Sequence, residues 1–259
     1  MLLPMLTTMQ GPAGTLRLDD GGEGGLPVIF AHSLGGHLGQ WARALAHLQR
    51  SRRALAWDLR GHGGSELPAD GDHSVEAQAG DLLAILDGRG IERAVFVGHS
   101  LGAMVAIAAA GRAPARCAGL FLEDPGSDPS LYPQAQVDHF LTELETNYEA
   151  MVGPYWEQLL VGASHETRRE VLEALWATPR EAIVRSFRDL GSFRAIEALR
   201  AFGGPVFVLA GPLGSSPDAL QRVLGIRHQL LEGVSHYLHL DAPHAFADSL
   251  DRFLAERQG

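Results

Sequence analysis

Six short runs of nearly uninterrupted apolar residues punctuate this chain of 259 residues: Val28–Ala31, Ala54–Trp57, Ala94–Val97, Gly119–Leu122, Val206–Leu209 and, less cleanly, Gln229–Leu231. A strand with one wet face alternates apolar and polar residues. A continuous apolar run is covered on both faces, as in a parallel sheet flanked by crossover helices. Between these runs apolar residues recur at helical spacing, predicting helices over Trp41–Gln49, Val75–Arg89, Leu101–Arg112 and Ala242–Glu256. Pro114 and Pro243 stand near helix boundaries, where proline is tolerated. Strand and helix in alternation predict an α/β fold.

The rhythm breaks from about residue 130 to 201. No strand candidate appears there, and four apolar sets follow helical spacing: Leu141, Leu144, Tyr148 and Met151; Tyr155, Trp156, Leu159 and Leu160; Val171, Leu172, Leu175 and Trp176; Ile183, Val184 and Phe187. Pro154 and Pro179 divide the segments. We read 130–201 as a helical insertion between two strands, with 1–129 and 202–259 forming the α/β core. The glycine-rich stretch Asp20–Gly25 predicts a flexible turn.

Composition narrows the class. The length suits one domain carrying an insertion, with a core large enough to need no disulfide or metal staple. The single cysteine, Cys117, has no internal partner and fits a reducing compartment. Met1 to Gly14 lacks a basic segment followed by an apolar run, and no apolar stretch reaches the roughly 20 residues of a membrane span. A net charge of -10 with scattered arginines argues against a nucleic-acid partner. The expectation is a soluble, cytoplasmic protein with a small-molecule partner and no cofactor. Its oligomeric state is left open.

The chemistry begins at Gly98-His99-Ser100-Leu101-Gly102, a G-x-S-x-G pattern. An apolar run leads in and a small-residue helix leads out, and strand, sharp turn, helix is the context this motif requires. A tight elbow strains the serine backbone, and side chains at 98 or 102 would collide with the neighbouring helix and strand. The helix that follows turns its N-terminal amides toward developing negative charge. His99 is expected to pack or hydrogen-bond rather than act as a base.

A serine hydroxyl needs a base to become a nucleophile. His236, in Gly233-Val234-Ser235-His236, follows the last strand candidate on a loop at the C-terminal edge of the sheet, where functional loops gather. His239 is its rival. A metal reading of the pair lacks a third ligand cluster. His62 is assigned a structural place.

Together these residues resemble the α/β-hydrolase superfamily from about Gly14 onward. Asp58-Leu59-Arg60-Gly61-His62-Gly63-Gly64-Ser65 is similar to its D-x-R-G-x-G-x-S loop, Gly98–Gly102 to its nucleophile elbow, and Gly233–His236 to its catalytic-histidine loop. The resemblance implies an eight-stranded, mostly parallel sheet with a helical cap inserted after the sixth strand. It implies an oxyanion hole from the backbone N–H groups of Leu34 and Leu101. Ser33-Leu34-Gly35 resembles the enol-lactone hydrolase branch, although the family usually has His-Gly where this chain has His32-Ser33.

The family's usual acid is missing: its G-x-x-D turn reads Gly211-Pro212-Leu213-Gly214 here. Some relatives place the carboxylate at the end of the sixth strand, where this chain has Glu123 and Asp124. Glu123 aligns with them and is the first expectation; Asp124 and Asp218 are the alternatives, and a Ser–His dyad is a further one. Ser100, His236 and Glu123 would then hydrolyse a small, apolar carboxylic ester or lactone, within a pocket expected to use Trp156, Tyr155, Trp176, Phe187 and Phe193. Carbon–carbon hydrolysis of a ketone, or a low-turnover binding role, are the alternative functions.

Overall fold

A computed structural model describes residues 5–257. Eight strands form one sheet in the order β1-β2-β4-β3-β5-β6-β7-β8. They are β1 (Leu6–Gln10), β2 (Thr15–Gly21), β3 (Val28–Ala31), β4 (Ala54–Trp57), β5 (Ala94–His99), β6 (Cys117–Glu123), β7 (Val206–Ala210) and β8 (His228–Leu230). β2 pairs antiparallel with β1 and β4, and every later pairing is parallel. The continuous apolar runs follow from burial on both sides. Ile29 and Ala31 of β3 face one core while Val28 and Phe30 face another. Against the second core lie α1 (Ala42–Leu48) and α11 (Pro243–Ala255); against the first lie α2 (Val75–Gly88) and α3 (Leu101–Arg112).

Between β6 and β7 run five helices: α4 (Gln134–Thr146), α5 (Tyr148–Leu159), α6 (His165–Ala177), α7 (Arg180–Leu190) and α8 (Ala195–Phe202). The short helices α9 (Leu220–Leu224) and α10 (Leu238–Asp241) flank β8 and the loop after it. Two readings of the insertion need correction. Pro154 does not divide helices; it sits inside α5, and the break falls at Asn147, which ends α4 and opens α5. The missing Pro154 N–H costs one helical bond, to the carbonyl four residues back. α8, placed in the insertion apart from its last residue, packs on α3 so closely that a Cβ at Gly111 would lie 2.8 Å from the Ala198 carbonyl. It therefore packs with the layer that covers the sheet, and we keep the name cap for α4–α7 alone. Among the described residues no helix is long and apolar enough to cross a membrane.

Candidate active site

Ser100 sits in the turn between β5 and α3 with φ 52° and ψ -116°, a strained conformation for a residue bearing a side chain. Its backbone is held from both sides: the N–H donates to the Glu123 carbonyl at 3.1 Å, and its carbonyl accepts from Ala103 at 2.9 Å. The flanking glycines are sterically required. A Cβ at Gly98 would lie 2.3 Å from the Gly102 carbonyl oxygen, and one at Gly102 would lie 2.2 Å from that of Ala31.

His236 lies on the loop after β8. Its backbone N–H donates to the Leu159 carbonyl at the end of α5 (3.0 Å), so the cap anchors the loop. Ser100 and His236 line one cavity of about 60 Å³ together with Ser33, Leu34 and Leu101 and with Tyr155, Trp156 and Phe187 of the cap. The Leu34 and Leu101 amides, expected as oxyanion donors, donate to no other backbone carbonyl among the described residues. Trp176 departs from expectation: it is 53% exposed, on the outer side of α6, and Phe193 is buried without lining the cavity.

The carboxylate facing His236 is Asp124, not Glu123. His236 Nδ1 lies 2.8 Å from Asp124 Oδ2, with both side chains buried. Glu123 Oε1 instead accepts from the His239 backbone N–H at 2.9 Å and lies 2.8 Å from His239 Nδ1. Asp218 is exposed, its N–H directed at Ser216 Oγ. The pleat explains the difference. β5 and β6 pair His99 with Glu123, so those two side chains leave on the same face. The next residues, Ser100 and Asp124, are the two non-glycine residues of positive φ among those described, and they turn to the other side.

The turn that lacks its aspartate still serves the carboxylate. Gly211 and Gly214 N–H groups each donate to Asp124 Oδ1 at 2.9 Å, and the Leu213 N–H donates to Oδ2 at 3.3 Å. Three backbone donors thus hold the carboxylate in place against His236.

His99 is no base. Its Nε2 donates to the His236 carbonyl at 2.9 Å, and burial next to His236 and His239 pushes its pKa well below the ordinary value. His99, Glu123 and His239 bring ligand-type atoms within 4.8 Å of one another, the cluster that sequence spacing did not reveal. Hydrogen bonds already engage one nitrogen of each ring, and Trp41 stacks on His239 at 4.1 Å. The cluster thus ties the histidine loop to β5 and β6.

The loops after β3 and β4 complete the frame. Asp58 accepts from the Leu38 N–H (2.6 Å) and the Gly64 N–H (2.8 Å), and His32 Nε2 accepts from the Leu59 N–H at 2.9 Å. That acceptor role puts the ring proton on Nδ1, which faces the Ser33 carbonyl at 2.7 Å. The segment bearing Leu34 is thereby fastened to the loop after β4. Arg60 forms a buried two-pronged bond with Asp81, both contacts at 2.7 Å. His62 donates to or accepts from nothing catalytic; its Nδ1 meets the Arg60 carbonyl.

A second, outer cleft of about 390 Å³ opens between α4 and α7, lined by Tyr132, Val137 and Phe140 among others. Tyr155, Phe187 and Leu190 border both it and the catalytic cavity.

A strained serine between strand and helix, sharing a cavity with a histidine that is backed by a buried carboxylate, is the strand–turn–helix arrangement of a nucleophile elbow on an α/β sheet. The profile of the alpha/beta hydrolase fold matches residues 27–204, and the chain belongs to that family. It is 31% identical over 186 residues to the dihydrolipoyllysine-residue acetyltransferase component of the acetoin cleaving system of Pseudomonas putida, covering 69% of this chain and 43% of that protein. It is 32% identical over 158 residues to a strigolactone esterase of Pisum sativum, covering 56% of this chain and 58% of that one. The chain spans about half the length of these curated relatives. The crystal structure of the enol-lactonase from Burkholderia xenovorans LB400 matches with a TM-score of 0.80 at 22% identity, over 96% of this chain and 100% of that one.

Proposed function

We propose that the protein is a serine hydrolase of small, largely apolar carboxylic esters or lactones. The observation that carries this reading is the 2.8 Å contact between His236 and Asp124, with His236 and Ser100 lining one cavity. His236 Nε2 takes the Ser100 proton as Oγ attacks the acyl carbon. Asp124, accepting from Nδ1, fixes the tautomer and stabilises the imidazolium that forms. The Leu34 and Leu101 N–H groups meet the oxyanion, which bears full charge only in the tetrahedral state. Collapse expels the alcohol with the proton from His236, leaving an acyl-Ser100 ester. Water, deprotonated by His236, then releases the acid and restores the serine.

The cavity supports small acyl groups, since at about 60 Å³ it falls well below the roughly 300 Å³ at which sites for drug-sized ligands begin. No Lys or Arg lines it, which supports an uncharged substrate. The esterase named among the relatives is consistent with the same class. The test is a panel of p-nitrophenyl esters from acetate to octanoate, with γ- and δ-lactones, read against Ser100→Ala. The reading predicts turnover at least about a thousandfold above Ser100→Ala on the best substrate. Equal rates for the two proteins across the panel would overturn it.

A further inference from the structure

Three polar side chains meet on one wall of the catalytic cavity, and the steps above use none of them. Tyr237 follows the base, Ser33 precedes the Leu34 amide, and Trp156 comes from α5. Each is at most 2% exposed. Ser33 Oγ and Trp156 Nε1 are buried without a hydrogen-bond partner. Both nevertheless lie beside the Tyr237 hydroxyl, where burial pushes the phenol pKa up and these two neighbours pull it down.

The trio has three donor hydrogens and two acceptor oxygens. The indole N–H and the Ser33 hydroxyl can both point at the Tyr237 oxygen, or Tyr237 can point at Ser33. In either arrangement one hydroxyl hydrogen has no acceptor within the trio. A buried donor left unpaired is costly, on the order of 1–3 kcal/mol. The other polar groups of the wall do not remove the surplus: Ser100 and His236 are engaged with each other in the steps above, and the Tyr155 hydroxyl brings a hydrogen of its own with its acceptor oxygen.

We propose that this trio is a subsite for a second, uncharged oxygen of the substrate: an ether, ring or keto oxygen close to the scissile carbonyl. The position follows from the chain. Ser33 and Tyr237 each stand one residue, or about 3.8 Å between Cα atoms, from a group that acts on the reacting carbon. The absence of charged residues other than His236 from the lining excludes a carboxylate, which would be buried without a counter-charge. Oxygen-bearing esters or lactones are therefore preferred over plain alkanoates. This inference rests on the hydrolase reading and names its substrate class.

The test uses isosteric pairs that exchange one CH2 for oxygen: p-nitrophenyl butyrate with methoxyacetate, and pentanoate with 3-methoxypropanoate. For each substrate the loss in kcat/KM from wild type to Tyr237→Phe and to Ser33→Ala is measured, so intrinsic ester reactivity cancels. The loss should be about fivefold to tenfold greater for the oxygen-bearing member of at least one pair. Losses equal within about twofold for both members of both pairs would overturn the subsite, because a purely structural role affects both alike. Either variant alone decides the matter if the other folds poorly. Failure of every ester to exceed Ser100→Ala would remove the hydrolase reading itself, and the subsite with it.

Discussion

Glu123 and Asp124 are neighbours in the chain, and the pleat sends them to different tasks. Glu123 joins His239 behind the sheet end, where Gln would keep an acceptor for the His239 backbone N–H. Glu123→Gln should thus lower stability by about 1–3 kcal/mol in urea titration while leaving kcat within about tenfold of wild type. An unchanged midpoint would contradict the structural role. Gly102→Ala should be worse, at least about 2 kcal/mol, because its Cβ would meet backbone rather than a movable side chain. A wild-type melting temperature for that variant would contradict the packing described. At this scale the strained elbow at Ser100 and the loop bearing His236 were legible, because elbow sterics impose a pattern on the sequence around Ser100. The acid was not, because which carboxylate faces His236 depends on the β5–β6 register and on the backbone turn at Asp124. Gly214 in the place of the usual aspartate was the visible signal that the carboxylate had moved.

At the scale of elements, α3 runs over the predicted Leu101–Arg112, and α2 and α11 stop within a residue or so of expectation. Continuous apolar strands and caps make such elements readable. β1 and β2 gave no comparable run: β1 alternates exposed and half-buried positions at the sheet edge. The insertion was visible as a helical block, but its inner boundary was not, since α8 carries the same periodicity while packing on α3. Within the cap, Phe187 of α7 stands between the catalytic cavity and the outer apolar cleft. Phe187→Ala should join them and raise kcat/KM for octanoate relative to acetate by about tenfold, the worth of about two further buried CH2 groups. An unchanged chain-length profile would show that the two volumes do not communicate there.

Across the whole molecule, four buried histidines make stability depend on pH. Desolvation lowers the pKa of His32 and His99 well below 6.5, and that of His62 and His73 to about 4. The unfolded chain protonates these rings as pH falls through 6.5 and the folded chain does not. Their stabilisation is complete above 6.5 and is lost as pH falls toward the folded values. His62 alone contributes on the order of 3 kcal/mol over that window. Asp58 and Asp81, pushed upward by burial, oppose the trend as pH falls further. Urea midpoints should fall steadily from pH 6.5 to 5, and a flat midpoint would contradict the neutral histidines. The sheet order sets the ends of β5 and β6 side by side, and the loop after β8 returns past β7 to bring His236 to Asp124, which is how residues 100, 124 and 236 come together. The most direct test of that assembly is kcat/KM for p-nitrophenyl butyrate in Asp124→Asn, Glu123→Gln and Asp218→Asn. Asp124→Asn should lose about ten-thousandfold and the other two less than about tenfold. Near-full activity in Asp124→Asn, with collapse in Glu123→Gln, would contradict the account.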